Sequence, residues 1–558
     1  MNIRETNSLV ELFFLKQKEI GSKRPFLKWL NPNYEKQYTW QEVYEKILKL
    51  SSEIKKQIKK GDRCLLISEN RPEWLIADIA IMNAGGISVP IFTTYASNDY
   101  EYIINDCDPS LVIISNNIQF KKIKNFIKNI KIISFETTRH DCFLIDDIFK
   151  DNLEAIINLD IKRNMPACII YTSGTSGNPK GVVLSHGGIL SNCEGALEVL
   201  NPLIKKKNPV FLTWLPLSHS YEHTVQFIQI LIGAKIFYAE SLEKLIPNML
   251  IAKPSIMTAV PRFYQNLFTK ININFNKEVG IKKFLITQTC KLGSKILKKE
   301  KLNFREKILN FFCNNLVRKN VQKKFGGNLQ AFISGGSALD HKIGEFLNSI
   351  GLPTLQGYGL TEASPVVSCN LPDLVKVETV GPSFSTNQVK IAEDGEILIK
   401  GENVMLGYWN KKKETNEIIK DGWLHTGDIG KIDSQGYLQI TDRKKDIIIN
   451  LGGDNISPSK VENILCLNEN IKQAFIYGDK KNYLVALIVT EKEIKNDVIK
   501  ETLININKNL NLIEKIKKFV LIDKEFTIEN RMLTPTLKLK RKEIIKNYKQ
   551  DLENLYMN

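Results

Sequence analysis

No stretch of about 18 apolar residues occurs in the 558-residue chain, so no segment reads as a membrane-spanning helix. The longest candidate, 227–238, is too short and carries Gln229 and Lys235. The start of the chain lacks the pattern of a secretory leader, because its apolar stretch at 9–15 is brief and contains Glu11. A cytoplasmic protein is expected, at most peripheral to the inner face of a membrane. The nine cysteines are scattered from Cys64 to Cys466 and no two form a CxxC pair. That excludes a zinc ribbon or a dithiol redox centre and fits a reducing compartment. Histidine is scarce, with six in the chain. The segment HSYEH at 219–223 matches the H-x-x-E-H spacing of one class of zinc enzymes, but no further ligand follows by spacing. His219 is read instead as a pocket-lining residue. Internal repeats and low-complexity linkers are also missing.

What the chain has in excess is lysine, and its formal net charge is +17. Lysine travels with asparagine and isoleucine, as in IKNFIKNIKII at 123–133, which reads as a compositional bias. No nucleic-acid motif or aromatic stacking platform accompanies it. The segment 294–324 has a helical pattern with a basic face. A membrane surface could use such a face; here it is read as solvated.

The first two-thirds alternates short apolar runs, at 64–68, 111–115, 168–171, 329–334 and 354–358, with helical patterns such as 71–84. Buried strands separated by helices indicate parallel α/β layers, whose ligands collect at the carboxyl ends of strands. From 381 to about 441 short alternating segments and DG or GE turns predict antiparallel strands, a small β-barrel. The charged stretch DRKKD at 442–446 marks a boundary. The expected fold is thus an α/β N-terminal domain, 1–441, of two parallel subdomains plus the barrel, followed by a smaller α+β domain, 442–558.

Three motifs carry chemistry. YTSGTSGNPKGVVLSH at 171–186 crowds glycines and hydroxyls after a strand. Backbone N–H groups at Gly174 and Gly177, with the hydroxyls of Thr172, Ser173, Thr175 and Ser176, can donate to phosphates, and Lys180 adds a positive charge. It is not a P-loop, because Pro179 stands where the second glycine would be. QGYGLTE at 356–362 lacks the third glycine of a dinucleotide fingerprint. In it Gln356, Gly357 and Gly359 frame Tyr358, a flat face for a base; Thr361 can donate to phosphate, and Glu362 offers a hard oxygen for Mg²⁺. A turn would explain that heptad about as well. In WLHTGD at 423–428, Asp428 can accept from both ribose hydroxyls and Arg443 can reach the same sugar, although aspartate after glycine is also a common turn residue.

In this order the motifs resemble those of the adenylate-forming superfamily, which contains acyl-CoA synthetases, peptide-synthetase adenylation domains and luciferase. NRPEW at 70–74 and AGGISVP at 84–90 look like its early motifs, and SGGSAL at 334–339, with Gly335, Gly336 and Ser337, like its adenine-side loop. LPLSHSYEH at 215–223, DGWLHTGDIG at 421–430 and LTPTLKLKR at 533–541 look most like long-chain fatty acid–CoA ligases. The resemblance implies ATP and coenzyme A as co-substrates, Mg²⁺ on Glu362 and Thr172, and a mobile C-terminal domain hinged at Lys445. Aligning the chain ends makes Lys538 the catalytic lysine, with Lys540 as its neighbour and competitor; Leu537 stands where the superfamily commonly has glycine. In a second orientation the hairpin 450–458 would admit the pantetheine arm past Gly452 and Gly453. Two other outcomes suit the motifs: a fatty acyl-AMP ligase or acyl-carrier-protein synthetase, and a non-catalytic lipid-capture protein at the membrane.

Overall fold

The computed structural model describes residues 3–33, 36–138, 142–151, 155–158, 160–172, 178–204, 208–452, 454–490, 494–508, 510–534 and 538–557. Two eight-stranded sheets dominate it. One runs in the order Phe143–Leu144, Lys131–Ser134, Leu111–Ile114, Arg63–Ile67, Ile87–Ile91, Pro166–Thr172, Lys180–Ser185 and Gly407–Tyr408. All but its last two pairings are parallel. The other runs Val366–Cys369, Thr354–Gly359, Ala331–Ser334, Ile256–Ala259, Val210–Thr213, Lys235–Tyr238, Pro25–Trp29 and Gln37–Thr39, parallel inside and antiparallel at both edges.

The expected strands at 64–68, 111–115, 329–334 and 354–358 are present within a residue or two. The strand expected at 168–171 is present as Pro166–Thr172, and beyond the hydroxyl-rich segment the chain pairs back antiparallel, with Thr172 opposite Lys180. A hairpin returns the chain to the same end of the sheet, so Thr172 and Lys180 stay side by side.

Helices fill the space between the sheets. Pro72–Asn83 begins with proline at its first turn, where the missing N–H costs nothing, and every residue in it is buried. One buried cluster joins Leu66 and Ile113 of the first sheet to Phe26, Ile236 and Tyr238 of the second through Ile189, Phe227 and Ile230 of the intervening helices. The NRPEW motif acts here as a fastener. Asn70 donates to the Leu215 carbonyl at 2.7 Å and accepts from Leu217 N at 3.1 Å, while buried Arg71 pairs with Glu73 and Glu136. The loop that carries His219 is thereby held to the first sheet.

The alternating segments after 381 form a five-stranded antiparallel sheet of Asn387–Ile391, Glu396–Gly401, Ile419–Lys420, Trp423–Ile432 and Leu438–Arg443. Beyond it a short hairpin, Ile448–Ile449 with Asn455–Ile456, precedes a three-stranded sheet, Ile471–Tyr477, Leu484–Thr490 and Ile516–Leu521. Two buried clusters in this part draw on residues 448–552 alone.

Candidate active site

A cleft of about 2230 Å³ opens between the two α/β sheets, the antiparallel sheet and the C-terminal part. Thr172, Lys180, His219, Gly335, Gly336, Ser337, Gln356, Gly357, Tyr358, Gly359, Thr361, Glu362, Asp428, Arg443, Lys445, Lys538 and Lys540 all line it. Residues separated by more than 350 positions in sequence thus meet in one space. Ser173, Gly174, Thr175, Ser176 and Gly177 fall outside the described residues, as does Gly453.

One cluster of the cleft, expected to meet phosphates, assembles across strands. Lys180 Nζ sits 4.8 Å above the Tyr408 ring, and the Tyr408 hydroxyl donates to Glu362 Oε1 at 2.8 Å. Gly407–Tyr408 reaches this position by pairing with Lys180–Ser185 at the sheet edge. Tyr408 is a residue that motif reading missed. Its signal is the aromatic pair after a glycine in GYW at 407–409, which says nothing about chemistry until the strand is placed. Glu362 lies in a single helical turn, Thr361–Ala363, held by a hydrogen bond between the Thr361 and Ser220 hydroxyls at 2.9 Å.

The second cluster holds the residues expected to meet the sugar. Asp428 and Arg443 are directly opposite each other on neighbouring strands. Arg443 Nε meets Asp428 Oδ1 at 3.1 Å, and the Tyr358 hydroxyl donates to Asp428 Oδ2 at 2.7 Å. Asp428 is therefore no turn residue: it sits within the strand Trp423–Ile432 and is mostly buried. Gly359 allows its strand to pass the next turn, since a Cβ there would lie 1.9 Å from the Pro365 carbonyl oxygen. Gly336 takes a φ of +89°, open to glycine at little cost.

Lys538 enters from the C-terminal part. It follows residues 535–537, which are outside the described set, and its N–H donates to Thr534 Oγ1 at 3.0 Å. Its side chain is exposed and lines the cleft, and its pKa is lowered to about 8. Loss of hydration is the main cause, then the Arg443 charge; Asp428, Asp446 and Glu362 pull the other way. The same lysine lines a small side cavity with Leu215, Pro216, His219 and Val260. Burial and, second, the Lys538 charge lower the His219 pKa to about 4, so the ring is neutral near pH 7. His219 caps the helix Ser220–Leu231 by accepting from Tyr221 N at 3.2 Å.

Two residues of HSYEH, Glu222 and His223, turn inward. His223 Nε2 meets Asp78 Oδ2 at 3.0 Å with both side chains fully buried, and Glu222 accepts from the Thr258 hydroxyl at 2.8 Å. Burial raises the Glu222 pKa to about 7. Lys445 lies in the turn after Leu438–Arg443, where Asp446 N donates to the Arg443 carbonyl. Gly452 is exposed in the hairpin and is not among the residues that line the cleft.

A family described as AMP-binding enzyme matches residues 16–409, and its C-terminal domain matches 445–558. The chain belongs to the AMP-binding enzyme family. This AMP-binding enzyme is 29% identical over 532 residues to the long-chain-fatty-acid–CoA ligase FadD15 of Mycobacterium bovis, covering 89% of this chain and 88% of that one. It is 29% identical to the long-chain-fatty-acid–CoA ligase 5 of Rattus norvegicus, covering 88% and 79%. Its fold is similar to that of the adenylation domain of a carboxylate reductase from Mycobacterium chelonae, with a TM-score of 0.80, 18% identity and coverage of 99% and 91%.

Proposed function

We propose that this AMP-binding enzyme activates a long-chain fatty acid with ATP, giving acyl-AMP and pyrophosphate, and then transfers the acyl group to the thiol of coenzyme A. The observation that carries the reading is a single cleft lined both by cations, Lys180, Arg443 and Lys538 among them, and by apolar side chains. The apolar ones include Val199, Leu200, Val225, Ile228, Ile256 and Phe384. Apolar walls suit an acyl tail and the cations suit a triphosphate. The names of the relatives support the same substrate class.

A fatty carboxylate is a poor electrophile, because its charge repels nucleophiles and oxide leaves badly. Adenylation removes both obstacles. The carboxylate oxygen attacks the α-phosphorus and pyrophosphate departs, so two anions must be brought together. Lys538 would bridge them, and a unit charge pair about 4 Å apart is worth roughly 4 kcal/mol at an effective dielectric near 20. Lys180 would neutralise the outer phosphates. Asp428, oriented by Tyr358 and Arg443, would accept from the ribose hydroxyls. Gly335, Gly336, Ser337 and Tyr358 would enclose the adenine, with Gln356 and Gly357 behind them. His219 would border the acyl end as a neutral ring.

The residues fit Mg²⁺. Glu362 has one oxygen engaged by Tyr408, and among the described residues no group of three or more His, Cys, Asp or Glu could hold a metal ion. A lone carboxylate suits an ion that keeps its waters and takes substrate phosphates. Glu362 and Thr172 would hold it, and when bound it supplies neutralisation of phosphate charge.

In the second step the coenzyme A thiol attacks the mixed anhydride and AMP leaves. That requires Lys538 to withdraw and the hairpin with Gly452 and Gly453 to approach, by rotation at Lys445. The division of the chain at about 442 is proposed on the same ground. The test is pyrophosphate release and ATP–pyrophosphate exchange with an acid panel from acetate to oleate, followed by AMP formation with coenzyme A or a holo-carrier protein. Stimulation by long acids and acyl transfer to coenzyme A are expected. Exchange with short acids only, or transfer only to the carrier protein, would contradict the reading.

A further inference from the structure

Between residues 277 and 324 lie fourteen lysines and arginines and three glutamates, so 48 residues carry +11 of the net +17. The charge is therefore concentrated, which the even lysine–asparagine–isoleucine bias did not suggest. The single helical pattern expected over 294–324 is broken into a hairpin. Helix Gly280–Leu297 is followed by Phe304–Cys313, a wider turn at Asn314–Arg318, and Lys319–Lys323. The helices are antiparallel: Lys295 Nζ meets Glu306 Oε1 at 2.7 Å near the connection, and Cys313 Sγ lies 3.7 Å from the Leu285 carbonyl at the far end.

One side of the hairpin is anchored. A Cβ on Gly293 would lie 2.5 Å from Ser349, and buried Arg318 donates to the carbonyls of Ser349 and Thr289 and to Asn310 Oδ1. The outer side is apolar where solvent should favour polar residues. Phe304, Ile308, Phe311 and Phe312 follow helical spacing, and Phe304 and Phe311 are 78% and 65% exposed. Ile281 and Phe284 continue the strip on the neighbouring helix, at 79% and 52% exposure. Single exposed apolar residues are ordinary, but a strip of aromatic rings is not. Exposed Lys301, Arg305 and Lys307 alternate with it.

We propose that this hairpin docks on an anionic lipid bilayer, its phenylalanines entering the boundary between headgroups and acyl chains and its lysines meeting the lipid charge. Charge complementarity selects this occupant. A second copy of the chain would set +11 against +11. The surface also connects to the cleft, because helix Pro261–Asn276 starts there with Arg262 and Gln265 and leads to the hairpin. That helix spans about 24 Å at ~1.5 Å per residue.

The experiment is co-sedimentation of the full chain, without nucleotide or acid, with phosphatidylcholine vesicles and with vesicles containing phosphatidylglycerol. Binding to the anionic vesicles alone, weakening with salt, is expected. Phe311→Ser with Phe312→Ser should lower the partition constant at least about tenfold. Lys301→Gln, Arg305→Gln and Lys307→Gln together should lower it about 100-fold. Both variants should melt like the parent, since every substituted side chain is exposed. Equal binding to both vesicle types, binding to neither, unchanged binding by the variants, or a dimer abolished by the phenylalanine changes would each overturn the proposal. No substrate is present, so such a failure would leave the reaction reading standing.

Discussion

At the scale of single residues the molecule is governed by where charge can be held without water. Lys538 is the clearest case. Its pKa is lowered to about 8, by lost hydration first and then by the Arg443 charge. The protonated form is the useful one: it predominates below that value and disappears as pH rises through it. Fatty-acid-dependent ATP–pyrophosphate exchange is therefore expected to fall above about pH 8 when measured as kcat/KM. Lys538→Ala should cut the exchange rate by roughly 10²–10³-fold, the loss of one donor to transition-state charge. Thioester formation from supplied acyl-AMP should decline much less, and equal losses in both half-reactions would contradict the role. Tyr408 carries a smaller share. Tyr408→Phe removes the hydrogen bond that orients Glu362 and should lower exchange about tenfold, with the effect expressed in the magnesium dependence.

At the scale of elements, backbone approach decides what side chains are tolerated. The strand Thr354–Gly359 turns back against Val366–Cys369 with the Gly359 backbone pressed on the Pro365 carbonyl. Gly359→Ala should cost about 1–3 kcal/mol through overpacking and displace the turn that bears Glu362. A lower melting temperature together with weaker nucleotide binding, by calorimetry, is the expected pair of results. Strand existence was legible from sequence because short apolar runs bounded by glycine have few alternatives. The partner of the strand Lys180–Ser185 was not. The residues 180–185 suit a parallel or an antiparallel neighbour equally, and the choice depends on how the hairpin folds back.

At the scale of the whole molecule, the proposed reaction asks one cleft to serve two steps with different residues. The described arrangement has Lys538 in the cleft and Gly452 outside it. Lys445 lies in the turn between the antiparallel sheet and the C-terminal clusters, where a change of a few dihedral angles would move everything beyond it. Lys445→Pro restricts that turn. It should leave ATP–pyrophosphate exchange within about threefold of the parent, while acyl transfer to coenzyme A falls by on the order of tenfold or more, as expected for a gating residue far from the chemistry. Stopped-flow measurement of the two half-reactions would separate these outcomes.

Lys538 was marked only by the family resemblance, but the amino-acid sequence by itself determined the local pieces: buried strands, glycine-framed loops, and the candidate residues Lys180, Glu362, Asp428 and Arg443. These follow from side-chain chemistry and short-range backbone preference, which need no knowledge of distant segments. Tertiary structure alone decided that Tyr408 stands between Lys180 and Glu362, that Glu222 and His223 face the core while His219 faces the cleft, and that a basic helix became a hairpin with exposed phenylalanines. Which face of an element is buried depends on the packing of segments hundreds of residues apart, and burial sets both the charge a group can hold and the surface it presents.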